Sequence, residues 1–155
     1  MTDEDDLKTL TQLIGKFRFA MVTTMETDGS LVAHPLTVQE AEFDGDLWFV
    51  IGKDAPAAQH LARNPHAGVS MSSDDAWVSL TGTGRIVEDR AKLAELWKPA
   101  LEAWFPNGKD DPNVGLLHFT ADGAEFWHSP GSKIVHLVTL LTRRKIEGEN
   151  EKLDL

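Results

Sequence analysis

Apolar residues recur along this chain at two different spacings, and the switches between them mark out its elements. Leu7, Leu10, Leu13 and Ile14 fall three and four residues apart, with Thr2 as a cap, acids in the first turn and Gly15 at the end. That spacing predicts one short amphipathic helix. From Phe17 the period becomes two. Phe17, Phe19, Met21 and Thr23 share one face, and residues 31–39 form the second arm of a hairpin after the turn Thr27-Asp28-Gly29. Asp44-Gly45, between Ala41-Glu42-Phe43 and residues 47–51, is a dipeptide that favours a type I′ turn and predicts a second hairpin.

Beyond Gly52, Asp54-Ala55-Pro56 offers an N-cap and an early proline, so residues 57–62 read as a short helix ended by Asn64-Pro65. Two strands, 67–71 and 77–87, flank the polar turn 72–75, with Gly82 and Gly84 bending the longer one. Residues 90–104 return to helical spacing through Leu93, Leu96, Trp97, Leu101 and Trp104, and Pro99 kinks or divides that stretch. A loop rich in Pro, Asn, Asp and Gly covers 105–114. Strands 116–121 and 124–128 read as a third hairpin around Asp122-Gly123, and the apolar run 134–141 fits either a strand or a short helix. About seven short alternating strands with helices between them predict a mainly β fold, an antiparallel barrel closed or nearly closed on itself.

Length and charge narrow the picture. The 155 residues suit a single domain over 1–155, with a core of about 5–141 and a polar tail over 142–155. With no cysteine, disulfides, thiolate metal sites and thiol catalysis are excluded. No apolar run approaches the roughly 20 residues that span a bilayer, and residues 1–6 are acidic, so the expected location is the cytoplasm and no membrane partner is expected. Twenty-five acidic against 15 basic residues give a net charge of −10, which repels a phosphate backbone and argues against nucleic acid as a partner. The basic run Arg143-Arg144-Lys145 reads as part of a solvated terminal segment. His60, His66, His118, His128 and His136 lack metal-ligand spacing, and the expected metal content is none. Thr81-Gly82-Thr83-Gly84-Arg85 lacks the strand-to-helix crossover of a phosphate loop and reads as a barrel bend.

Many short pieces stand in a telling order: Phe19-Ala20-Met21-Val22-Thr23-Thr24, Asp28-Gly29-Ser30-Leu31, His34-Pro35-Leu36, Phe43-Asp44-Gly45-Asp46-Leu47-Trp48-Phe49, Arg63-Asn64-Pro65, Trp97-Lys98-Pro99 and Ala103-Trp104-Phe105-Pro106. From about Phe17 to Leu137 the chain resembles the general stress protein 26 family, a branch of the pyridoxamine 5′-phosphate oxidase-like flavoproteins. Glu125-Phe126-Trp127 is similar to the acidic-aromatic-Trp motif near the end of the oxidases. The resemblance implies an FMN-binding split β-barrel with short helices. It further implies a homodimer holding two symmetry-related flavin mononucleotides (FMN) at the interface, with Trp127 approaching the partner's flavin.

On that resemblance the strand His34, Pro35, Leu36 and Thr37 walls the flavin, and His34 stands where relatives usually carry Arg. Phe49, Val50, Ile51, Gly52 and Lys53 lead into the start of a short helix, where Lys53 and unpaired helix N–H groups meet the phosphate. Trp77, Trp104 and Trp127 are candidate aromatic walls. Relatives also carry a hydroxyl near Ile51 and a Lys near Ala57. The expectations are therefore weaker FMN binding or a changed cofactor, the deazaflavin F420 or none. Near Lys133 and Val135 only Lys133 keeps the character that pyridoxal phosphate binding requires, which disfavours vitamin B6 oxidation. The function expected is flavin-dependent transfer of electrons between small-molecule donors and acceptors, with no acid–base catalyst assigned. The alternative is a flavin carrier or stress-linked binding protein that turns nothing over.

Overall fold

Acidic residues and an apolar stripe make Asp3–Ile14 the first helix, α1, in a computed structural model that describes residues 3–39, 45–128 and 131–135. Leu7, Leu10 and Ile14 of α1 are almost wholly buried, and the chain leaves the helix at Gly15, whose N–H donates to the Thr11 carbonyl. Strand β1 (Phe19–Met25) then pairs antiparallel with β2 (Leu31–Thr37). Gly29 takes a φ of 88° in the turn between them, where a side chain is disfavoured. In the same turn the Ser30 hydroxyl and amide both donate to Asp28, and these bonds hold the Asp28 carboxyl below the usual carboxylate range.

The remaining elements are β3 (Asp46–Gly52), α2 (Pro56–Arg63), β4 (His66–Ser72), β5 (Ala76–Val87), α3 (Arg90–Leu96), a 3₁₀ turn (Pro99–Ala103), β6 (Val114–His128) and β7 (Gly131–Val135). All strand pairs are antiparallel, in the order β2-β1-β4-β5-β6-β3, with β7 also on β6. The sheet curls into the expected split barrel. Between its two end strands, the Gln39 N–H just after β2 donates to the Trp48 carbonyl of β3 at 3.4 Å.

Inside the curl, side chains alternate into one core that includes Val22, Phe49, Val69, Leu80, Phe119 and Phe126. A second cluster lies on the outer surface of β3 and β6, where Val50, Val114 and Leu116 meet Leu93 and Leu96 of α3 and Leu101 of the 3₁₀ turn. Pro99 divides the helical stretch as its missing N–H requires, so α3 stops at Leu96 and a separate turn begins at Pro99. No described helix is long and apolar enough to cross a membrane.

Four expectations need correction or limits. Residues 116–121 and 124–128 are one continuous strand, not a hairpin. Asp122 is the extra residue of a bulge, since Thr81 pairs with Gly123 and Gly82 with Ala121. Asp-Gly signals a break in regular pairing, and here the long partner strand β5 turns that break into a bend. Asp54 does not cap α2: Ala55 is the N-cap, with no side-chain bond, and Asp54 instead accepts from Asn113 Nδ2 at 2.9 Å. Gly45 has the positive φ of a turn, 107°, but β3 finds its ladder on β6, and the expected arm 41–43 lies outside the described residues. The run from 134 begins within a strand, while residues 136–141, the tail 142–155 and the Thr2 cap are likewise outside them.

Candidate functional site

Strand β1 presents its larger apolar side chains outward. Ala20, Val22 and Thr24 fill the core, which leaves Phe19 51% and Met21 40% exposed on the other face. Trp77 of β5, 45% exposed, lies opposite Trp127 of β6 in register, and both tryptophans join Phe19 and Met21 around a groove of about 470 Å³. On its other side Phe19 walls a smaller groove of about 160 Å³ with Pro35, Leu36, Thr37, Val50 and Trp104. Seven of the residues singled out from the sequence therefore line one of two neighbouring grooves. These are Pro35, Leu36, Thr37, Val50, Trp77, Trp104 and Trp127.

The other five lie elsewhere. Phe49 and Ile51 alternate with Val50 along β3 and point into the core at 0% and 2% exposure, with no face left for a ligand. His34 sits opposite Val22 in register and is half-buried, and its Nδ1 is buried with no hydrogen-bond partner among the described residues. A buried ring nitrogen left in that state is costly unless something completes it. Gly52 and Lys53 join β3 to α2, and both the Lys53 amide and the Asp54 amide are held by Asn113, at 2.7 Å by its carbonyl and at 3.2 Å by its Oδ1. A Cβ at Gly52 would meet Asp54 Oδ1 at 3.1 Å, so that corner is closely packed. The Lys53 ammonium is paired with Glu88, whose other oxygen lies 3.7 Å from Arg90 Nε.

At the start of α2 the amides of Ala57 and Ala58 precede the first bond of the helix, Gln59 N–H to the Ala55 carbonyl, and have no acceptor among the described residues. Their methyl groups are buried. His60, one turn along, is buried at 6% exposure and fixes the helix to β1, its Nδ1 2.8 Å from Thr24 Oγ1 and its Nε2 3.4 Å from Glu26 Oε1. A second polar arrangement stands on the outer surface of β3 and β6. There the Trp48 and His118 rings stack at 4.1 Å, with Asp46 3.2 Å from His118 Nε2 and Lys92 5.1 Å above Trp48. Sequence reasoning treated both histidines as ordinary surface or core residues and overlooked Asn113, because each depends on partners far away along the chain. No sequence signal identifies such partners.

Flat aromatic and aliphatic walls and strand backbone along the grooves make a surface suited to holding a planar molecule. No group of three potential metal ligands occurs among the described residues. The family model for pyridoxamine 5′-phosphate oxidase-like proteins matches residues 5–152.

This chain belongs to that family.

Among its relatives, protein bli-3 of Neurospora crassa is 27% identical over 126 residues, which are 74% of this chain and 60% of bli-3, so the chain spans less than two thirds of that protein. The general stress FMN/FAD binding protein of Xanthomonas citri is 31% identical, with a TM-score of 0.67 over 85% of this chain and 94% of that one. A protein of Clostridium acetobutylicum related to general stress protein 26 shares the fold at a TM-score of 0.76 and 20% identity, covering 90% of this chain and 99% of its own. The family assignment matches the resemblance read from the sequence, and the split barrel is the family's fold.

Proposed function

We propose that this member of the pyridoxamine 5′-phosphate oxidase-like family works as a homodimeric flavoprotein. Each FMN rests along His34, Pro35, Leu36 and Thr37 and passes electrons between a small-molecule donor, such as a reduced nicotinamide nucleotide, and a small acceptor. The observation that carries the reading is the apolar groove beside β2, walled by Pro35, Leu36, Thr37, Val50 and Trp104. The flavin-binding relative of Xanthomonas citri supports the cofactor class. Phe19, Met21 and Trp77 form an exposed apolar face of the kind that pairs with another subunit, and this supports the dimer. A single cytoplasmic domain completes the proposal.

The residues present fit a flavin at its ring better than at its phosphate. The free Ala57 and Ala58 amides at the start of α2 suit an anion. Against that, Ile51 and Ala57 are buried apolar side chains where family relatives supply donors, and Lys53 is engaged with Glu88. When bound, the flavin supplies the redox chemistry. The chain's own part is to meet the ring's polar edge with the backbone of His34–Thr37, wall the ring with Pro35 and Val50, and exclude water with Trp104 and the partner's surface. The two apolar replacements also favour a second reading, in which the groove takes F420 or no cofactor.

Titrating flavin-free protein with FMN, and in parallel with F420, tests the proposal. Visible absorbance reads loading, and oxidation of reduced nicotinamide by the loaded protein separates an enzyme from a carrier. A colourless preparation that neither flavin loads would refute the proposal. Lys53→Ala is expected to weaken FMN binding several-fold. Glu88→Gln, which releases the Lys53 ammonium, is expected to tighten it; an unchanged affinity in both variants removes Lys53 from the phosphate site.

A further inference from the structure

Three cations from two separate connecting segments converge beside the smaller apolar groove. Lys16 follows α1, Arg18 leads into β1 and Lys98 precedes the 3₁₀ turn, and all three line a recess of about 190 Å³. The recess shares Phe19, Thr37, Leu101 and Trp104 with the groove of about 160 Å³ and adjoins it, a slot with a charged mouth and an apolar floor beside the wall assigned to the flavin. Among the described residues, no acidic side chain lines the slot or the groove. In a chain of net charge −10 this is a local reversal of sign. Lys16 and Arg18 are exposed and make no ion pair with any described residue, and the Arg18 guanidinium lies 5.6 Å from the centre of the Phe19 ring.

We infer that this slot binds a small organic anion with a flat apolar body, such as an aromatic carboxylate. The carboxylate would lie beside Lys16 and Arg18 and the ring against Phe19, Leu101 and Trp104 in the recess, next to the Pro35 and Val50 wall rather than on it. Charge selects the anion, because an acidic exterior repels it elsewhere and low-dielectric walls concentrate the field of Lys16 and Arg18. The guanidinium adds paired N–H donors in the plane a carboxylate presents. Size selects a small body, since the slot and the groove each fall below the roughly 300–1,000 Å³ of sites for drug-sized ligands. The identity of this anion as the electron acceptor or donor rests on the flavin reading above. Its binding does not.

The test is calorimetric titration of the full chain with 2-naphthoate and with the uncharged, similarly shaped 2-naphthamide, flavin content being read by visible absorbance in the same samples. Naphthoate is expected to bind about tenfold or more tightly than naphthamide, the effect of a charge-assisted contact. The double variant Lys16→Gln, Arg18→Gln is expected to lose most of that preference, whereas Trp104→Ala, a change at a side chain 69% exposed, should weaken both ligands alike. Equal affinities for the two probes, no binding of either, or a preference unaltered in the double variant each overturn the inference. Flavin absorbance is a separate readout: naphthoate preference in protein that cannot be loaded sinks the flavin proposal alone, and loaded protein without the preference sinks only this one.

Discussion

Gly82→Ala is expected to lower the stability of the chain by about 4 kcal/mol or more, at the extreme of what single substitutions do. A Cβ at position 82 would lie 2.0 Å from the Thr120 carbonyl oxygen and 2.9 Å from both Ala121 Cα and the Thr120 carbonyl carbon. All three are backbone atoms, so no rotamer change relieves the overlap, and β5 and β6 must move apart at the bulge. Those strands form the longest ladder in the sheet, from Ala76–His128 to Val87–Leu116. Since domains have only about 5–15 kcal/mol to lose, much of the variant should be insoluble or open. Urea unfolding followed by tryptophan fluorescence measures the effect, with Gly68→Ala as the control. A Cβ there finds only the Leu80 carbonyl at 3.7 Å, an ordinary contact, and the expected change is within about 1 kcal/mol. Similar midpoints for the two variants would remove the close approach at Gly82 as the reason for that glycine.

Phe49→Ala is expected to destabilise by about 3–5 kcal/mol, the range for emptying a buried aromatic position. Phe49 has no exposed surface and packs in the inner core, opposite Leu117 of β6 in register. Its neighbour Val50 points the other way, toward the groove with Pro35 and Trp104. The two adjacent residues therefore act through different surfaces. Chemical denaturation reads the first effect directly, and a loss below about 1 kcal/mol would mean that the ring is not a structural part of the core.

How far the sequence could be read depended on the range over which each interaction acts. Elements fixed by neighbours along the chain were legible: the α1 stripe of Leu7, Leu10 and Ile14, the Gly29 turn, the proline that starts α2 and the one that divides the stretch after Asp89. Period two along β1 was equally plain. It did not reveal that the large residues Phe19 and Met21 face outward while Ala20 and Val22 fill the core, because alternation defines two faces without saying which is covered. Asp122-Gly123 was misread for the same reason, since only the pairing with β5 distinguishes a bulge from a turn. Within the candidate site, resemblance identified the strand His34–Thr37 and the tryptophans that line the grooves. It grouped Phe49 and Ile51 with Val50 because a motif is contiguous in sequence while a strand divides its residues between two sides. Lys16 and Arg18 lie in the connection from α1 to β1 and Lys98 far along the chain before the 3₁₀ turn, and only the fold brings the two segments together.

Strand β6 faces both hydrophobic clusters, Phe119 and Phe126 turned to the inner one and Val114 and Leu116 to the outer one beneath α3. Neither layer can come apart on its own while that strand keeps its neighbours β5 and β3. Opening should accordingly be all-or-none across the sheet, and the amide hydrogens of Leu116, Leu117 and Phe119 should exchange with solvent only when the whole molecule does.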